Sequence, residues 1–245
     1  MAAPRDIIEV SDATALAVAA AERLIKRIDA HAGTPAICLT GGSSPKRLYE
    51  LLATDSYRAR IPWARVHWFI GDDRFVPASD PLNNMAIARA AFLDACAPAA
   101  NVHAIQTDAG TPEDAAARYA RELQGFYGSA QLDAAKPLFD LVLLGVGPDG
   151  HVASLFPGYP GIAVTDRWVV GVPEAHVAPF VPRVSLTLPT LASCREMLFL
   201  LSGDDKRSIV GRVLAGEDLP ANRARSNFET VLLCDRAALT ESDSV

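Results

Sequence analysis

The sequence LLGVGPDGHVASLFP, residues 143–157, carries the pattern on which the fold prediction rests. Its apolar start belongs to a predicted strand, residues 139–144, and this strand ends in a glycine-rich turn that contains Asp149, Gly150 and His151. Glycine accepts positive φ angles and lets the backbone approach a ligand closely. An imidazole has an ordinary pKa near ~6.5 and can act as a neutral base at cellular pH. The turn therefore combines one candidate base with exposed backbone N–H groups, an arrangement suited to hydrolysis.

The same glycines also fit a dinucleotide-binding pattern. Gly145, Gly147 and Gly150 match the spacing G-x-G-x-x-G, and Asp166 follows near the distance expected for a ribose-binding acid. That fingerprint needs a long helix beginning at the third glycine, whereas Pro157, Gly158, Pro160 and Gly161 follow soon after it. We interpret the match as accidental and expect no cofactor.

Outward from this turn, apolar periodicity predicts alternating helices and strands along the chain. The predicted helices cover residues 11–32, 46–53, about 82–96, 112–127 and 206–215. The predicted strands cover residues 35–40, 66–70, 102–105, 139–144, 168–172, 184–188, 197–201 and 230–233. Ser11 or Asp12 can cap the first helix and Gly33 can end it, while Ser44 and Pro45 can cap and begin the second.

This alternation predicts an α/β fold with a single domain, residues 1–245. We expect a mostly parallel twisted sheet with helices on both faces, a Rossmann-like three-layer sandwich. Ligands bind such sheets at the carboxyl ends of strands, near a change in strand order. We also expect residues 157–161 to form a loop over the site and the tail after Thr240 to be disordered.

Composition narrows the classes of function. The 245 residues are 50% hydrophobic and carry a net charge of −6, which argues against nucleic acid or an anionic membrane as a partner. No apolar stretch has the length of a signal peptide's core or a membrane span. The four cysteines are widely separated, which favours neither disulfides nor a metal site. We expect a soluble cytoplasmic protein.

Two loops at strand ends are candidate anion-binding elements. Gly41, Gly42 and Ser43 join a strand to a helix, so their N–H groups can bind a phosphate or an oxyanion, although an ordinary capped turn would have the same sequence. The spacing of a nucleotide P-loop is absent. The second loop contains Asp72 and Arg74.

In that second loop, Arg74 can grip a phosphate, while Asp72 and Asp73 can orient sugar hydroxyls or neighbouring bases. A solvated turn is the alternative. Asn83 and Asn84 can cap the next helix or reach a ligand, and we favour capping.

Further candidates lie elsewhere in the chain. Arg183 and Lys206 can hold an anion or can be surface charges. The other four histidines lack metal-ligand spacing, and we interpret them as structural or solvent-facing. No G-x-S-x-G motif is present, so a serine nucleophile is not indicated.

Taken together, these motifs resemble 6-phosphogluconolactonases, within the superfamily that also holds glucosamine-6-phosphate isomerases. The resemblance extends over nearly the whole chain, and its most specific part is the Asp149-Gly150-His151 segment. The family's usual Asp-Glu-Arg appears as Asp72-Asp73-Arg74, and its Ser-Asn as Asn83-Asn84. The shorter Asp73 could alter how Arg74 is braced.

The resemblance implies metal-independent hydrolysis of 6-phospho-D-glucono-1,5-lactone, a sugar-phosphate lactone of the oxidative pentose phosphate pathway. It implies His151 as general base with Asp149 orienting it. Gly41, Gly42, Ser43, Asp72, Arg74, Gly147, Gly150, Arg183 and Lys206 would bind the substrate. Two alternatives stay open, an aminosugar-phosphate isomerase and a sugar-phosphate-binding regulator. The isomerase branch carries a catalytic glutamate, and no acid lies here between His151 and Asp166. The state of assembly, monomer or small homo-oligomer, is undecided.

Overall fold

A seven-stranded parallel sheet lies at the centre of the fold in a computed structural model that describes residues 5–239. Its strands are β1 (Arg5–Val10), β2 (Ala36–Leu39), β3 (His67–Ile70), β5 (Val102–His103), β6 (Phe139–Leu144), β9 (Cys194–Leu201) and β10 (Glu229–Asp235). Their spatial order is β1-β10-β9-β6-β2-β3-β5, and all neighbours are parallel. The predicted strand β6 is the middle one, and all six of its residues are buried.

A second sheet has three antiparallel strands, β4 (Asp72–Arg74), β8 (Arg183–Leu186) and β7 (Val169–Val172), in that order. The predicted strands 168–172 and 184–188 therefore exist, but they pair with each other outside the parallel sheet. Apolar alternation marks a strand without naming its partner, which explains why the sequence did not separate the two sheets. The prediction of an α/β fold built on a mostly parallel sheet is confirmed.

The helices connect these strands. They are α1 (Ala13–Ala30), α2 (Ser43–Leu52), α3 (Asp55–Arg58), α4 (Asn84–Ala88), α5 (Asp94–Cys96), α6 (Pro112–Tyr127), α7 (Leu188–Ala192), α8 (Arg207–Leu214) and α9 (Pro220–Arg223). A π-helical turn, Arg89–Leu93, joins α4 to α5, and short 3₁₀ turns occur at Ala99–Asn101, Pro160–Ala163, Asp204–Lys206 and Arg236–Ala238. No helix among residues 5–239 is long and apolar enough to cross a membrane.

Two helix boundaries in the structure differ from those predicted from the sequence. Asp12 caps α1 by accepting hydrogen bonds from the N–H groups of residues 14 and 15, but the helix ends at Ala30 rather than at residue 32. His31 leaves the helical conformation there, and its imidazole contacts the Asp140 carboxylate at 2.8 Å. Helix α2 begins at Ser43, so Gly42, with φ 108°, takes the capping position predicted for Ser44.

Strand β1, which pairs with β10 at the edge of the sheet, was not predicted from the sequence. Strand β4 was predicted as a loop, because three polar residues, Asp72–Arg74, carry no apolar alternation. The predicted tail after Thr240 lies outside the residues that the structure describes.

Candidate active site

A cleft of about 360 Å³ opens at the carboxyl edge of the parallel sheet. Loops that follow β2, β6 and β9 line it, together with residues of β4 and β8. Strands β2 and β6 are neighbours. Strands β3 and β5 follow on the β2 side, and β9 and β10 follow on the β6 side, so the strand order changes direction between β2 and β6 and the cleft lies at this change. The predicted site residues that line the cleft are Gly41, Gly42, Ser43, Asp72, Arg74, Gly147, His151, Arg183 and Lys206.

His151 and Asp149 form a hydrogen-bonded pair at this cleft. The imidazole Nδ1 lies 2.6 Å from Oδ1 of Asp149, and the backbone N–H of His151 donates to the same oxygen at 3.2 Å. Burial opposes the effect, but the hydrogen bonds and charge of His151 hold the pKa of Asp149 below its ordinary value. An ionised carboxylate can only accept, so in the neutral form of the ring Nδ1 carries the hydrogen and Nε2 keeps its lone pair. Among residues 5–239, nothing hydrogen-bonds to Nε2 of His151.

The glycines of this turn are required by close packing. A Cβ on Gly147 would lie 2.0 Å from the His151 ring, and a Cβ on Gly150, which has φ +89°, would lie 2.8 Å from Leu219. The backbone N–H of Gly147 donates to the carbonyl of His151 at 2.9 Å and closes the loop. On its far side, the ring packs against Phe156, with ring centroids 4.7 Å apart. Asp149 and Gly150 do not line the cleft directly; they shape the turn that presents the imidazole.

Three cations converge on the cleft, and backbone carbonyls rather than carboxylates hold them. Arg74 donates to the carbonyl of Leu82 at 2.8 Å, and Lys206 donates to that of Val146 at 2.9 Å. Arg183, which is only 3% exposed, donates to the carbonyl of Pro179 at 3.0 Å. None of the three forms an ion pair with any described residue.

The guanidinium groups keep unused donors. The Nε atoms of Arg74 and Arg183 are both buried without a hydrogen-bond partner in the described chain. Burial lowers the pKa of Arg183, an effect that Asp72 opposes and Arg74 reinforces. Buried cations with spare N–H groups and no carboxylate partner form a site suited to an anion.

The glycine turn after β2 supplies backbone donors on the opposite wall. Tyr49 of α2 fixes it, because its hydroxyl donates to the carbonyl of Thr40 at 2.7 Å and accepts from the N–H of Thr40 at 3.1 Å. No hydrogen bond within residues 5–239 uses the N–H groups of Gly41 and Gly42. The turn can therefore donate to an anion, as its sequence predicts.

The two acids of the Asp72-Asp73-Arg74 segment have different surroundings. Asp72 lines the cleft and is buried, and its Oδ2 accepts a hydrogen bond from the Ser154 hydroxyl at 2.6 Å. Asp73 is fully buried and points away into the fold, where it accepts from the backbone N–H groups of Arg74, Asn84 and Met85. Burial raises the pKa of Asp73 to about 7, against the effect of these three donors.

Asp73 therefore anchors the start of α4 and does not reach a ligand. Its carboxylate accepts from the backbone N–H of Arg74 and does not contact the guanidinium, so Asp73 braces the main chain at Arg74 and not its side chain. Asn83 caps α4, as predicted, through a 2.8 Å bond from the N–H of Ala86.

Asn84 lines the cleft instead. Its Nδ2 donates to the carbonyl of Asp72 at 3.0 Å, and its buried Oδ1 has no partner among the described residues. The close approach of this amide to the chain explains the glycine at position 41, where a Cβ would lie 2.1 Å from Oδ1. Of the two roles predicted for Asn84, capping a helix and reaching a ligand, this position favours the second, although capping was preferred from the sequence.

The segment over the cleft is also different from the predicted one. Residues 157–160 line a separate cavity with Asp218 and Pro220, and the Tyr159 hydroxyl donates to the carbonyl of Gly171 in β7 at 2.7 Å. Val177 and Ala178, from the loop between β7 and β8, border the cleft in their place.

Three of the other four histidines have side-chain partners within the fold. His31 pairs with Asp140, His67 and His103 contact each other, and His103 contacts Glu122. Within residues 5–239, no group of three or more histidines, cysteines or acids is arranged to hold a metal ion. No helix begins at Gly150, so the dinucleotide pattern lacks the element that would bind a pyrophosphate.

Comparison with known proteins agrees with this geometry. Residues 11–233 match the family described as glucosamine-6-phosphate isomerases/6-phosphogluconolactonase. A 6-phosphogluconolactonase of Streptomyces coelicolor is 42% identical over 94% of this chain and 92% of its own length. One from Synechocystis is 39% identical over 88% of each chain. The crystal structure of a 6-phosphogluconolactonase from Thermotoga maritima superposes with a TM-score of 0.81 at 28% identity, and covers 95% of this chain and all of that one.

Proposed function

We propose, because this chain belongs to the family of glucosamine-6-phosphate isomerases and 6-phosphogluconolactonases, that it hydrolyses 6-phospho-D-glucono-1,5-lactone to 6-phospho-D-gluconate in the pentose phosphate pathway. The observation that carries the proposal is the Asp149–His151 pair, whose free Nε2 lies in the same cleft as three cations without carboxylate partners. A phosphate ester with a hydrolysable ring carbonyl needs both features at once. The named relatives support the choice of substrate.

In the proposed first step, Nε2 of His151 removes a proton from a water molecule whose oxygen attacks the lactone carbonyl carbon. The new C–O bond converts the carbonyl oxygen into an oxyanion. Asp149, which stays ionised because its pKa is lowered, stabilises the imidazolium and keeps its orientation.

In the second step, the tetrahedral intermediate collapses and the bond between C1 and the ring oxygen breaks. The imidazolium returns its proton to that oxygen, which becomes a hydroxyl, and the new carboxylic acid loses its proton to solvent. Backbone N–H donors that stabilise the oxyanion typically contribute ~10²-fold or more each. No step needs a metal or an organic cofactor.

For the phosphate, we propose Arg74, Arg183 and Lys206 together with the N–H groups of Gly41, Gly42 and Ser43. Both unpaired Nε donors of the arginines support this assignment. Gly147 and Gly150 act by shaping the turn around His151. We further propose that residues 1–245 form one domain and that the protein acts in the cytoplasm. The four cysteines contain no CxxC pair, in keeping with a reducing compartment.

The test is the release of acid from freshly generated lactone, measured against spontaneous opening and against His151→Ala at equal concentration. We expect a large excess rate with the wild type only, unchanged after treatment with a chelator. Glucosamine 6-phosphate serves as the second substrate. Release of ammonia from it, without lactone hydrolysis, would replace the proposal by an isomerase.

A further inference from the structure

Ser154 belongs to the sequence segment that follows the candidate base, yet the proposed chemistry gives it no task. It is fully buried, and its hydroxyl donates to Oδ2 of Asp72 at 2.6 Å. Its backbone N–H donates to the hydroxyl of Ser185, at 3.1 Å, and Ser185 is the residue that pairs with Asp72 across β8 and β4. Ser185 thus holds the backbone of Ser154, and the Ser154 hydroxyl in turn holds the Asp72 carboxylate.

Hydrogen bonds, rather than an ion pair in direct contact, hold the Asp72 segment in place. The Ser154 hydroxyl fixes Oδ2, and the Asn84 amide fixes the backbone carbonyl of Asp72 at 3.0 Å. Asp72 forms no ion pair with any described residue, and no hydrogen bond from the described chain reaches Oδ1. A buried anion kept in this way is costly unless a donor completes its hydrogen bonds.

The chemistry of the cleft limits what that donor can be. A carboxylate only accepts hydrogen bonds and repels a phosphate, so a phosphate cannot bind against Asp72. Arg74, Arg183 and Lys206 line the same cleft and supply the donors for the phosphate. Between the phosphate and the reacting carbonyl, the proposed substrate carries only neutral hydroxyl donors.

We propose that Ser154 is a positioning residue that holds Asp72 so that its free oxygen accepts a hydrogen bond from a hydroxyl of the sugar ring. This inference rests on the proposed function and adds to it the residue that positions Asp72 for the hydroxyls of the substrate. Asp72 recognises hydroxyls, the cations recognise the phosphate, and His151 acts on water.

The experiment compares two ligands that differ only in their hydroxyls, 6-phospho-D-gluconate and 6-(phosphonooxy)hexanoate, by ³¹P NMR titration. A hydrogen bond to a charged group contributes enough to affinity that Ser154→Ala should weaken binding of 6-phosphogluconate roughly ten-fold and alter binding of the hexanoate less than about two-fold. In turnover, KM for the lactone should rise by a similar factor, with kcat nearly unchanged.

Asp72→Asn provides an independent variant that keeps the shape of the side chain. It should also weaken the binding of 6-phosphogluconate. The hexanoate should bind as tightly as before or more tightly, because the substitution removes a negative charge that repels its phosphate. Ser226→Ala is the matched control, since Ser226 is a buried serine whose hydroxyl bonds the carbonyl of Cys194, outside the cleft. It should change neither affinity.

Equal losses for both ligands in Ser154→Ala and Asp72→Asn, or no loss for either, would overturn the positioning role. A fall confined to kcat would do the same. These titrations involve no hydrolysis, so they are separate from the proposed function. A wild type that binds 6-phosphogluconate selectively but leaves the lactone intact would overturn the activity and leave this inference standing.

Discussion

Two groups of arginines in this protein lie largely out of solvent, and their surroundings are opposite. Arg23 and Arg27 of α1 share two acids, Glu196 of β9 and Glu229 of β10, in a network of four ion pairs. In the cleft, Arg74 and Arg183 have carbonyl partners and no acid. We call the first group the α1 network and the second the cleft cations.

The contrast shows how to separate structural from binding charge. In the α1 network each charged side chain has an oppositely charged partner within the fold, so no uncompensated charge is left to bind a ligand. The cleft cations remain uncompensated, which lowers stability and leaves their field and their N–H donors for an anion. The following variants test that division, beginning with the centre of the cleft.

The largest effect is expected for His151→Ala. Removing a positioned acid–base group should lower kcat by roughly 10² to 10⁴. The variant should stay folded, with the free energy of unfolding lowered by about 1–3 kcal/mol because the hydrogen bond to Asp149 and the contact with Phe156 are lost. Initial rates with fresh lactone and urea denaturation measure the two quantities, and a folded variant with normal turnover would remove His151 as the base.

The second variant, Glu196→Gln, addresses the α1 network. Glu196 is 2% exposed and pairs with both arginines, so its loss leaves Glu229 as the one remaining acid for two positive charges. We expect the free energy of unfolding to fall by about 3–5 kcal/mol, with an unchanged KM. Glu217→Gln is the control, because its pair with Arg212 is exposed and should contribute less than about 1 kcal/mol. A raised KM in Glu196→Gln would contradict the division.

The third variant, Arg74→Met, removes one cleft cation and should give the reverse result. Loss of a hydrogen bond to a charged phosphate should raise KM by roughly 10- to 100-fold. Stability should be unchanged or higher, because the buried and unpartnered Nε disappears. Arg212→Met is the matched control for loss of a positive charge, and steady-state kinetics and thermal unfolding distinguish the two. A variant that lost stability and kept its KM would make Arg74 structural.

The smallest effect concerns pH and Asp149. Its pKa is lower in the fold than in the unfolded chain, so the carboxylate stabilises the fold above the ordinary value near ~3.9. This contribution is lost as pH falls through the folded-state pKa. Relative to Asp149→Asn, the wild type should therefore be more stable at pH 7 than at pH 3. Urea denaturation at both values checks it, and a difference that does not depend on pH would contradict the pairing.

Local signals predicted the elements whose determinants lie close together in sequence. Helix α6 has the predicted bounds because Thr111 and Asp114 cap it reciprocally, Pro112 begins it, and Gly128, with φ 81°, ends it. Strand β6 also has its predicted bounds, as an apolar run closed by a glycine. Strand β4 was predicted as a loop, because its residues are polar and it forms a strand only by pairing with β8.

The candidate site follows the same division. Glycine turns and lone cations could be read from sequence because their residue types are unusual at strand ends. The contact of Ser154 with Asp72 joins residues 82 positions apart, and the contact of Asn84 with the glycine turn joins residues from different loops. No local pattern specifies such distances. The loop that borders the cleft, with Val177 and Ala178, was misplaced for that reason.

By itself, the sequence determined the α/β class, the glycine turns and the identity of the candidate base, because backbone preference and side-chain chemistry are properties of short segments. Only the tertiary structure decided which charges remain uncompensated. Whether a charged side chain is compensated depends on distances of a few ångströms to groups on strands and loops that are remote in the chain. The sequence does not give these distances.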